Sequence, residues 1–318
     1  MLCYPCALLS IATAVAASST PKLALNSVIR SDFPDPSLLQ DGDMWYSFGT
    51  NQNRDIHVQI ATSSDFDTWA VISGTDALPN LPGWVNPLDP AVWAPDVIKN
   101  DDGKYVLYFS AAKIDAARHC IGVATSDNVE GPYTAQDEPW VCHLEQGGAI
   151  DASSFRDSDG SRYVTYKIDG NSLNTRDGSC GGARPYNPTP IMQQQVSANG
   201  IDKIGDPIVL LDREEPDGPL IEAPSIAKLP DGRYVLFFSS NCWQFDYDLS
   251  YALADSVRGP YTKSGPLFTS TGSGLDNPGG ASIAADGIHL VFHAFVAEKT
   301  RGVYSTSVAF NGDEVTTG

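Results

Sequence analysis

A hairpin that recurs five times predicts the fold class of this 318-residue chain, an all-β, five-bladed β-propeller with four-stranded antiparallel blades around a central funnel. Each copy has a start rich in Pro or Asp, an apolar strand, an Asp-Gly turn and an aromatic-rich strand. Asp-Gly favours the type I′ turn that joins two antiparallel strands. No long amphipathic helix interrupts the pattern, so we expect one domain built from repeated hairpins.

The repeats are spread along the whole chain. The five copies occupy residues 33–48, 93–109, 150–166, 221–238 and 279–292. Between them lie further apolar segments, at 121–126 and 249–254, and each is followed by Gly-Pro-Tyr. We predict that these segments supply the third and outer strands of the blades, because a sheet repeated around an axis protects its edges by radial packing.

The first 17 residues resemble a secretory signal. They hold an apolar stretch that ends in Ala14-Val15-Ala16, a small-x-small cleavage pattern. We expect residues 1–17 to be a signal peptide and residues 18–318 to form the propeller of a secreted, extracellular protein; the alternative is a buried N-terminal strand. No later apolar run reaches the ~18 residues of a membrane span, so we expect no membrane partner.

Four cysteines remain once the signal is removed, and an oxidising compartment favours two disulfides. Four cysteines allow three connectivities. We predict Cys120 with Cys142, because these two flank one outer hairpin, which leaves Cys180 with Cys242. Their spacing indicates no zinc site.

The charge of the chain excludes one class of partner. A formal net charge of −19 makes nucleic acid improbable as a ligand, because binding to phosphates needs clustered Lys and Arg. The acidic residues are scattered among Gly, Asn and Ser, as in turns. We expect a monomer that acts on a neutral or cationic substrate.

Three carboxylates stand at the start of repeats, where the innermost strands converge on the funnel: Asp35, Asp151 and Glu222. Inverting glycosidases need a protonated acid and a carboxylate base about 6.5–9.5 Å apart. A third carboxylate would raise the pKa of the acid by repulsion. Asp before Pro or Ser also caps turns, and we interpret Asp96, which we treat as the equivalent residue of the second repeat, as structural.

These starts resemble the blade motifs of glycoside hydrolase family 43. The motifs are Phe33-Pro-Asp-Pro-Ser, Trp93-Ala-Pro-Asp, Ile150-Asp-Ala-Ser and Ile221-Glu-Ala-Pro-Ser. The resemblance implies Asp35 as general base, Glu222 as general acid and Asp151 as the residue that orients the acid and raises its pKa. It also implies that His293 lies in the substrate site near a water or metal ion on the propeller axis. No cofactor is then required, and a structural calcium ion, held by His293 through water, is optional.

Aromatic residues are the expected sugar contacts. Trp93 at the start of the second repeat serves either the core or a platform for the C–H faces of a pentose, and Phe33 could close the other side of the same pocket. A polar run, Lys167, Asp169 and Asn171, follows the third repeat and is a candidate loop over the cleft.

The resemblance supplies the substrate class, an arabinose- or xylose-containing plant polysaccharide or oligosaccharide. We expect an α-L-arabinofuranosidase first, and a β-xylosidase or endo-1,5-α-L-arabinanase next. Two more distant classes follow, because the fold does not fix the function: fructan-cleaving propellers, which retain configuration, and non-catalytic sugar-binding propellers.

Overall fold

The computed structural model describes residues 1, 25–52, 55–174, 180, 182 and 184–318, and it confirms the predicted propeller. Five antiparallel sheets are arranged in a ring, and consecutive strands pair within each sheet. The predicted signal peptide falls almost wholly on residues 2–24, outside the described part of the chain. Within the described part, we find no helix with the length and hydropathy of a membrane span.

The first four blades each contain four consecutive strands. Blade 1 contains β2 (Ser37–Asp41), β3 (Met44–Gly49), β4 (Gln59–Ser63) and β5 (Ala70–Val71). Blade 2 contains β6 (Trp93–Lys99), β7 (Tyr105–Ala112), β8 (His119–Ser126) and β9 (Thr134–Ala135). Blade 3 contains β10 (Ala149–Arg156), β11 (Arg162–Ile168), β12 (Ile191–Val196) and β13 (Lys203–Leu211). Blade 4 contains β14 (Ile221–Lys228), β15 (Tyr234–Cys242), β16 (Phe245–Ala254) and β17 (Thr262–Thr269).

Blade 5 is assembled from both ends of the described chain. Its strands are β18 (Asp276–Ile283), β19 (His289–Ala297), β20 (Thr300–Asn311) and the N-terminal β1 (Ser27–Ile29). A short β21 (Glu314–Thr317) pairs with the end of β20. Strand β1 therefore closes the ring by pairing with β20.

The cores lie between neighbouring blades. Five buried clusters fill the five blade–blade interfaces, and each contains at least one aromatic residue of a second strand. At the interface of blades 1 and 2, for example, Phe48 and Phe109 are fully buried, and Trp84 stacks on Phe109 with ring centroids 6.0 Å apart. This packing explains why each repeat carries an aromatic-rich strand after its Asp-Gly turn.

Every blade has the same irregularity where its first strand begins. In blades 2 to 5, three steps along the first strand oppose two steps along the second, which is a one-residue β-bulge. In blade 1 the Thr50 amide donates to the Pro34 carbonyl while Ser37 pairs with Phe48, which gives the same count. At this shared bulge each blade has one residue with positive φ: Asp35 (53°), Ala94 (43°), Asp151 (59°), Ala223 (52°) and Gly280 (59°). Blade 5 has a second bulge just before it, which contains Asn277 (49°).

Both predicted disulfides are present, Cys120–Cys142 and Cys180–Cys242. The first joins β8 to a segment 22 residues further along the chain. The second joins the segment after β11 to the end of β15, 62 residues further along.

Removing the first disulfide is expected to lower stability without abolishing activity. Closing a loop of this length restricts the unfolded chain, so the Cys120→Ser, Cys142→Ser double variant should lose about 3 kcal/mol of unfolding free energy. Urea denaturation of both proteins measures the difference. Because neither cysteine lines the cavity described below, activity at low temperature should persist. An unchanged unfolding free energy would contradict the prediction.

Candidate active site

A cavity of about 440 Å³ opens where the first strands of all five blades meet. Its wall includes residues of every blade, and the three candidate carboxylates, Asp35, Asp151 and Glu222, lie in it together. The loops of blade 4 contribute Trp243 and Gln244, and strand β20 contributes Arg301. The structure thus brings the predicted residues of blades 1, 3 and 4 to one site.

The bulges are held by hydrogen bonds between neighbouring blades. In four of the five cases, the amide of the positive-φ residue donates to a side chain on or just after the second strand of the preceding blade. The pairs are Asp35 to His293 Nδ1 (3.0 Å), Ala94 to Thr50 Oγ1 (2.9 Å), Asp151 to Ser110 Oγ (3.1 Å) and Gly280 to Ser239 Oγ (2.9 Å). This support compensates for a backbone conformation that is costly for residues other than glycine.

Asp35 is held as a carboxylate. Thr50 Oγ1 donates to its Oδ2 at 2.6 Å, and Arg301 Nη1 lies 3.5 Å from its Oδ1. Burial acts to raise the pKa of Asp35, but the Arg301 guanidinium and the Thr50 hydroxyl outweigh that effect and hold the pKa below its usual value. At neutral pH this group can therefore accept a proton.

Asp151 is in the opposite state. Burial and the neighbouring Glu222 carboxylate raise the pKa of Asp151 well above its usual value, although Lys167 and the amide of Ala223 oppose them. Its Oδ2 accepts the Ala223 N–H at 2.9 Å. Because interacting acidic groups titrate together, we treat Asp151 and Glu222 as one acid pair.

Glu222 accepts two hydrogen bonds. Lys167 Nζ donates to Oε2 at 2.8 Å, and Tyr247 Oη donates to Oε1 at 2.9 Å. Burial and the Glu222 carboxylate raise the pKa of Tyr247 well above its usual value, so its hydroxyl remains a donor. The carboxyl group is thereby fixed in orientation at the cavity wall.

Of the two aromatic residues predicted to contact the sugar, Trp93 lies at the cavity and Phe33 does not. Trp93 lines the cavity, and its ring stacks on His119 with centroids 3.8 Å apart. Phe33 is a correction to the sequence analysis. It is fully buried in the core between blades 5 and 1 and packs against Gly49, so it does not line the cavity.

His293 lies behind Asp35 and is almost fully buried. Burial and the nearby Arg301 lower the pKa of His293 to about 3, so its ring is neutral. Because Nδ1 accepts the Asp35 amide, the proton of the ring is on Nε2, an atom that has no hydrogen-bond partner among the described residues. The ring itself does not line the cavity.

This tautomer bears on the predicted calcium ion. A protonated Nε2 can donate to a water but cannot bind a metal directly. No cluster of three or more His, Cys, Asp or Glu side chains suited to a metal ion occurs in the part of the chain that the structure describes. The residues present therefore fit a water next to His293, and they would hold a metal only through that water.

The four acidic residues that we treated as equivalent occupy different positions in the repeat. Asp35 and Asp151 are the positive-φ residues, whereas Glu222 precedes the corresponding Ala223 and Asp96 follows Ala94 by two. Asp96 Oδ2 accepts the Ser154 N–H at 2.9 Å, which agrees with a structural role between blades 2 and 3. Burial raises its pKa to about 6, although the bonds from Ser154 oppose the shift.

The expected loop over the cleft is a correction to the sequence analysis, because Lys167, Asp169 and Asn171 are all buried. Lys167 belongs to strand β11, and Asp169 and Asn171 line the cavity wall. The signal for Lys167 was its place in an otherwise apolar strand, where a charge is costly unless it is paired. Tyr247 and Arg301 carry no local sequence signal, because the ring closure and the blade packing bring them to the cavity.

Comparisons with known proteins agree with this geometry. The family described as "Glycosyl hydrolases family 43" matches residues 24–310. An extracellular endo-α-(1→5)-L-arabinanase of Thermotoga petrophila is 30% identical over 161 residues, which cover 42% of this chain but only 33% of that protein. An extracellular exo-α-(1→5)-L-arabinofuranosidase of Cellvibrio japonicus is 27% identical over 271 residues, 80% of this chain and 72% of that one.

A solved structure shows the same fold. The crystal structure of a thermostable family-43 glycoside hydrolase superimposes with a TM-score of 0.75 at 22% identity and covers 94% of this chain and 96% of that chain. At this identity the likeness concerns the propeller itself.

Proposed function

The chain belongs to glycoside hydrolase family 43, an inverting family. From this premise we propose that the protein is a secreted α-L-arabinofuranosidase, which releases arabinose from plant polysaccharide with inversion of configuration. The observation that carries the proposal is the difference in protonation among three carboxylates in one cavity. The pKa of Asp35 is held below its usual value by Arg301 and Thr50, whereas burial and the Glu222 carboxylate raise the pKa of Asp151. Inverting hydrolysis needs one base and one acid on opposite faces of the sugar.

Asp35 is the proposed general base. Its carboxylate would take a proton from the attacking water as the bond to the anomeric carbon forms. Thr50 and Arg301 hold its two oxygens, and its amide is fixed by His293, so the group is oriented before substrate arrives.

The acid pair is the proposed proton source. Glu222 would protonate the glycosidic oxygen as the bond to the leaving group breaks, and Asp151 keeps the proton of the pair available by repulsion. The hydrogen bonds from Lys167 and Tyr247 hold the Glu222 carboxyl group in one orientation, as a donor that protonates one oxygen of the substrate requires.

Trp93 is the proposed sugar platform. A pentose presents C–H faces that pack on an aromatic ring, and the stacked His119 supports the indole from behind. Of the contacts predicted from the sequence, Trp93 therefore retains a direct role, whereas His293 acts on the substrate through the backbone of Asp35.

Arabinose is proposed ahead of xylose because arabinan-directed names are the more frequent among the similar relatives, although a β-xylosidase of Bacillus subtilis is also 27% identical over 81% of this chain. Removal of a terminal arabinose is proposed after the exo action for which the Cellvibrio japonicus relative is named. β-Xylosidase and endo-1,5-α-L-arabinanase activities are the alternatives within the family.

Product analysis tests the proposal. The purified protein is incubated with arabinan, arabinoxylan, xylan and fructan, and the products and their anomeric configuration are followed by NMR. We expect arabinose as the first product, with inverted configuration. Oligosaccharides from arabinan would indicate endo action, xylose would indicate a xylosidase, and fructose released with retention would contradict the family mechanism.

Asp151→Asn is expected to move the pH profile. Asn can still accept the Ala223 amide, so the bulge should persist, but the negative charge that keeps a proton on the pair is gone. The site should therefore lose its proton at lower pH, and the basic limb of the kcat/KM profile should shift downwards. An unchanged basic limb with activity near wild type would reduce Asp151 to a structural residue.

A further inference from the structure

In each blade, the residue at one equivalent position of the second strand faces the bulge of the next blade. Lys167 is the residue at this position in blade 3, and it differs from the others. The residues opposite the start of the first strand are Ser110, Lys167, Ser239 and His293, and Thr50 occupies the corresponding place in blade 1. All except Lys167 accept the amide of the positive-φ residue in the next blade. An ammonium group has no lone pair and cannot accept.

The amide that Lys167 leaves without an acceptor is that of Ala223, and Asp151 accepts it instead. The Asp151 Oδ2 lies 2.9 Å from the Ala223 nitrogen. This bond turns the Asp151 side chain towards blade 4, where Glu222 is the residue before Ala223. Lysine at this position therefore affects two side chains: it bonds to Glu222 directly, and it leaves the Ala223 amide for Asp151 to accept.

Lys167 itself is fully buried and paired. Its Nζ lies 2.8 Å from Glu222 Oε2 and 3.1 Å from Asp169 Oδ1. Burial acts to lower the pKa of Lys167, but Glu222, Asp169 and Asp151 outweigh it and keep the ammonium charged. A buried ammonium is costly unless its partners are fixed, so the three groups constrain one another.

We propose that Lys167 is the positioning residue of the acid pair, which fixes Glu222 by a direct bond and Asp151 by leaving the Ala223 amide free for it. The catalytic meaning of this inference rests on the proposed function, whereas the arrangement of the three side chains does not. Lys167 does not line the cavity, so it acts on the substrate only through Glu222 and Asp151.

The charged and titratable groups around the pair decide the expected direction. Lys167 and Asp169 face it from blade 3, and Tyr247 faces it from blade 4. Asp35, with Arg301 beside it, lies across the cavity. Of these groups, Lys167 lowers the pKa of both Asp151 and Asp169. Removing its charge should therefore make the pair hold its proton to higher pH.

Lys167→Met tests this, because it removes the charge and the donor but keeps most of the length of the side chain. Titration followed by carboxyl ¹³C NMR, with signals assigned through Glu222→Gln, should show the pair losing its proton at higher pH than in wild type. The basic limb of kcat/KM should move in the same direction. Turnover of a substrate with a poor leaving group should fall by on the order of 10²-fold through loss of orientation.

Lys263→Met is the matched control. Lys263 is also a partly buried lysine in an ion pair, with Asp217, but it lies on β17 and does not line the cavity. It should leave the titration and the pH profile unchanged. A folded Lys167→Met protein whose carboxyl titration matches wild type would overturn the proposal.

A second variant covers the case in which Lys167→Met does not fold. Lys167→Met with Asp169→Asn removes both charges together, which is often tolerated in an interior. Turnover of a substrate with a poor leaving group should still fall, and the shift in the carboxyl titration of the acid pair should be smaller than in Lys167→Met. Wild-type turnover in this double variant would overturn the proposal. The NMR titration needs no substrate, so absence of activity in wild type would refute the proposed function and leave the test of Lys167 intact.

Discussion

Asp35→Asn is expected to reduce kcat by roughly 10²- to 10⁴-fold on every substrate, whatever its leaving group. The amide cannot take the proton of the attacking water, and water attack is needed for each substrate alike. The variant should keep its geometry, because the Asn oxygen can accept the Thr50 hydroxyl and the backbone N–H can still donate to His293. Initial rates on an aryl arabinofuranoside and on arabino-oligosaccharide measure the loss.

Asp43→Asn makes the same chemical change at an exposed position of blade 1 and serves as the control. It should have wild-type rates. If Asp35→Asn were folded by circular dichroism and as active as this control, Asp35 would not be the base. A loss confined to the oligosaccharide would assign it to the leaving-group side of the reaction instead.

Glu222→Gln is expected to separate substrates by their leaving groups. General acid catalysis contributes roughly 10²- to 10⁴-fold, and that factor should be lost on natural glycosides, whose leaving alkoxide needs a proton. An aryl glycoside with an acidic phenol leaves with little protonation and should lose much less. Gln can still accept the Lys167 and Tyr247 donors through its oxygen, so the fold should survive.

Single-turnover and steady-state rates on both substrate types, with Glu145→Gln at an exposed position as the control, measure this separation. Equal losses on the two substrates in a folded protein would show that Glu222 is not the proton donor. The pair would then donate through Asp151, and the Asp151→Asn variant should show the separation instead.

The fold could be predicted because its signals are local. Asp-Gly turns fix the hairpins, and alternating apolar residues fix which faces are buried, so five copies of one pattern are sufficient for a propeller. The two disulfides followed from the hairpin that Cys120 and Cys142 flank. These features depend on neighbours in the chain, which a sequence displays directly.

The positions within the repeat could not be predicted in the same way. A one-residue bulge shifts the register, and nothing in Pro-Asp-Pro or Ala-Pro-Asp states which residue takes positive φ. Asp96 therefore seemed equivalent to Asp35 although it lies two places beyond the bulge residue Ala94. Phe33 seemed to face the pocket for the same reason, whereas the bulge turns Asp35 towards the cavity and leaves Phe33 in the core.

The remaining site residues depend on contacts between distant parts of the chain. Arg301 reaches Asp35 from 266 residues away, and Lys167 reaches Glu222 from the preceding blade. A charged residue in an apolar strand signals that a partner exists but not which one. Only the angular packing of the blades identifies it.

The closing of the ring has a consequence for the time at which activity can arise. Asp35 is held by His293, 258 residues further along, and the Phe33 amide donates to the Arg301 carbonyl. A chain synthesised from its N-terminus contains Asp35 and Thr50 early, but the other two supports of Asp35, His293 and Arg301, emerge with the last blade. The proposed base thus acquires its geometry only at the final step of assembly, when the longest-range contacts form, so an unfinished chain is an inactive hydrolase.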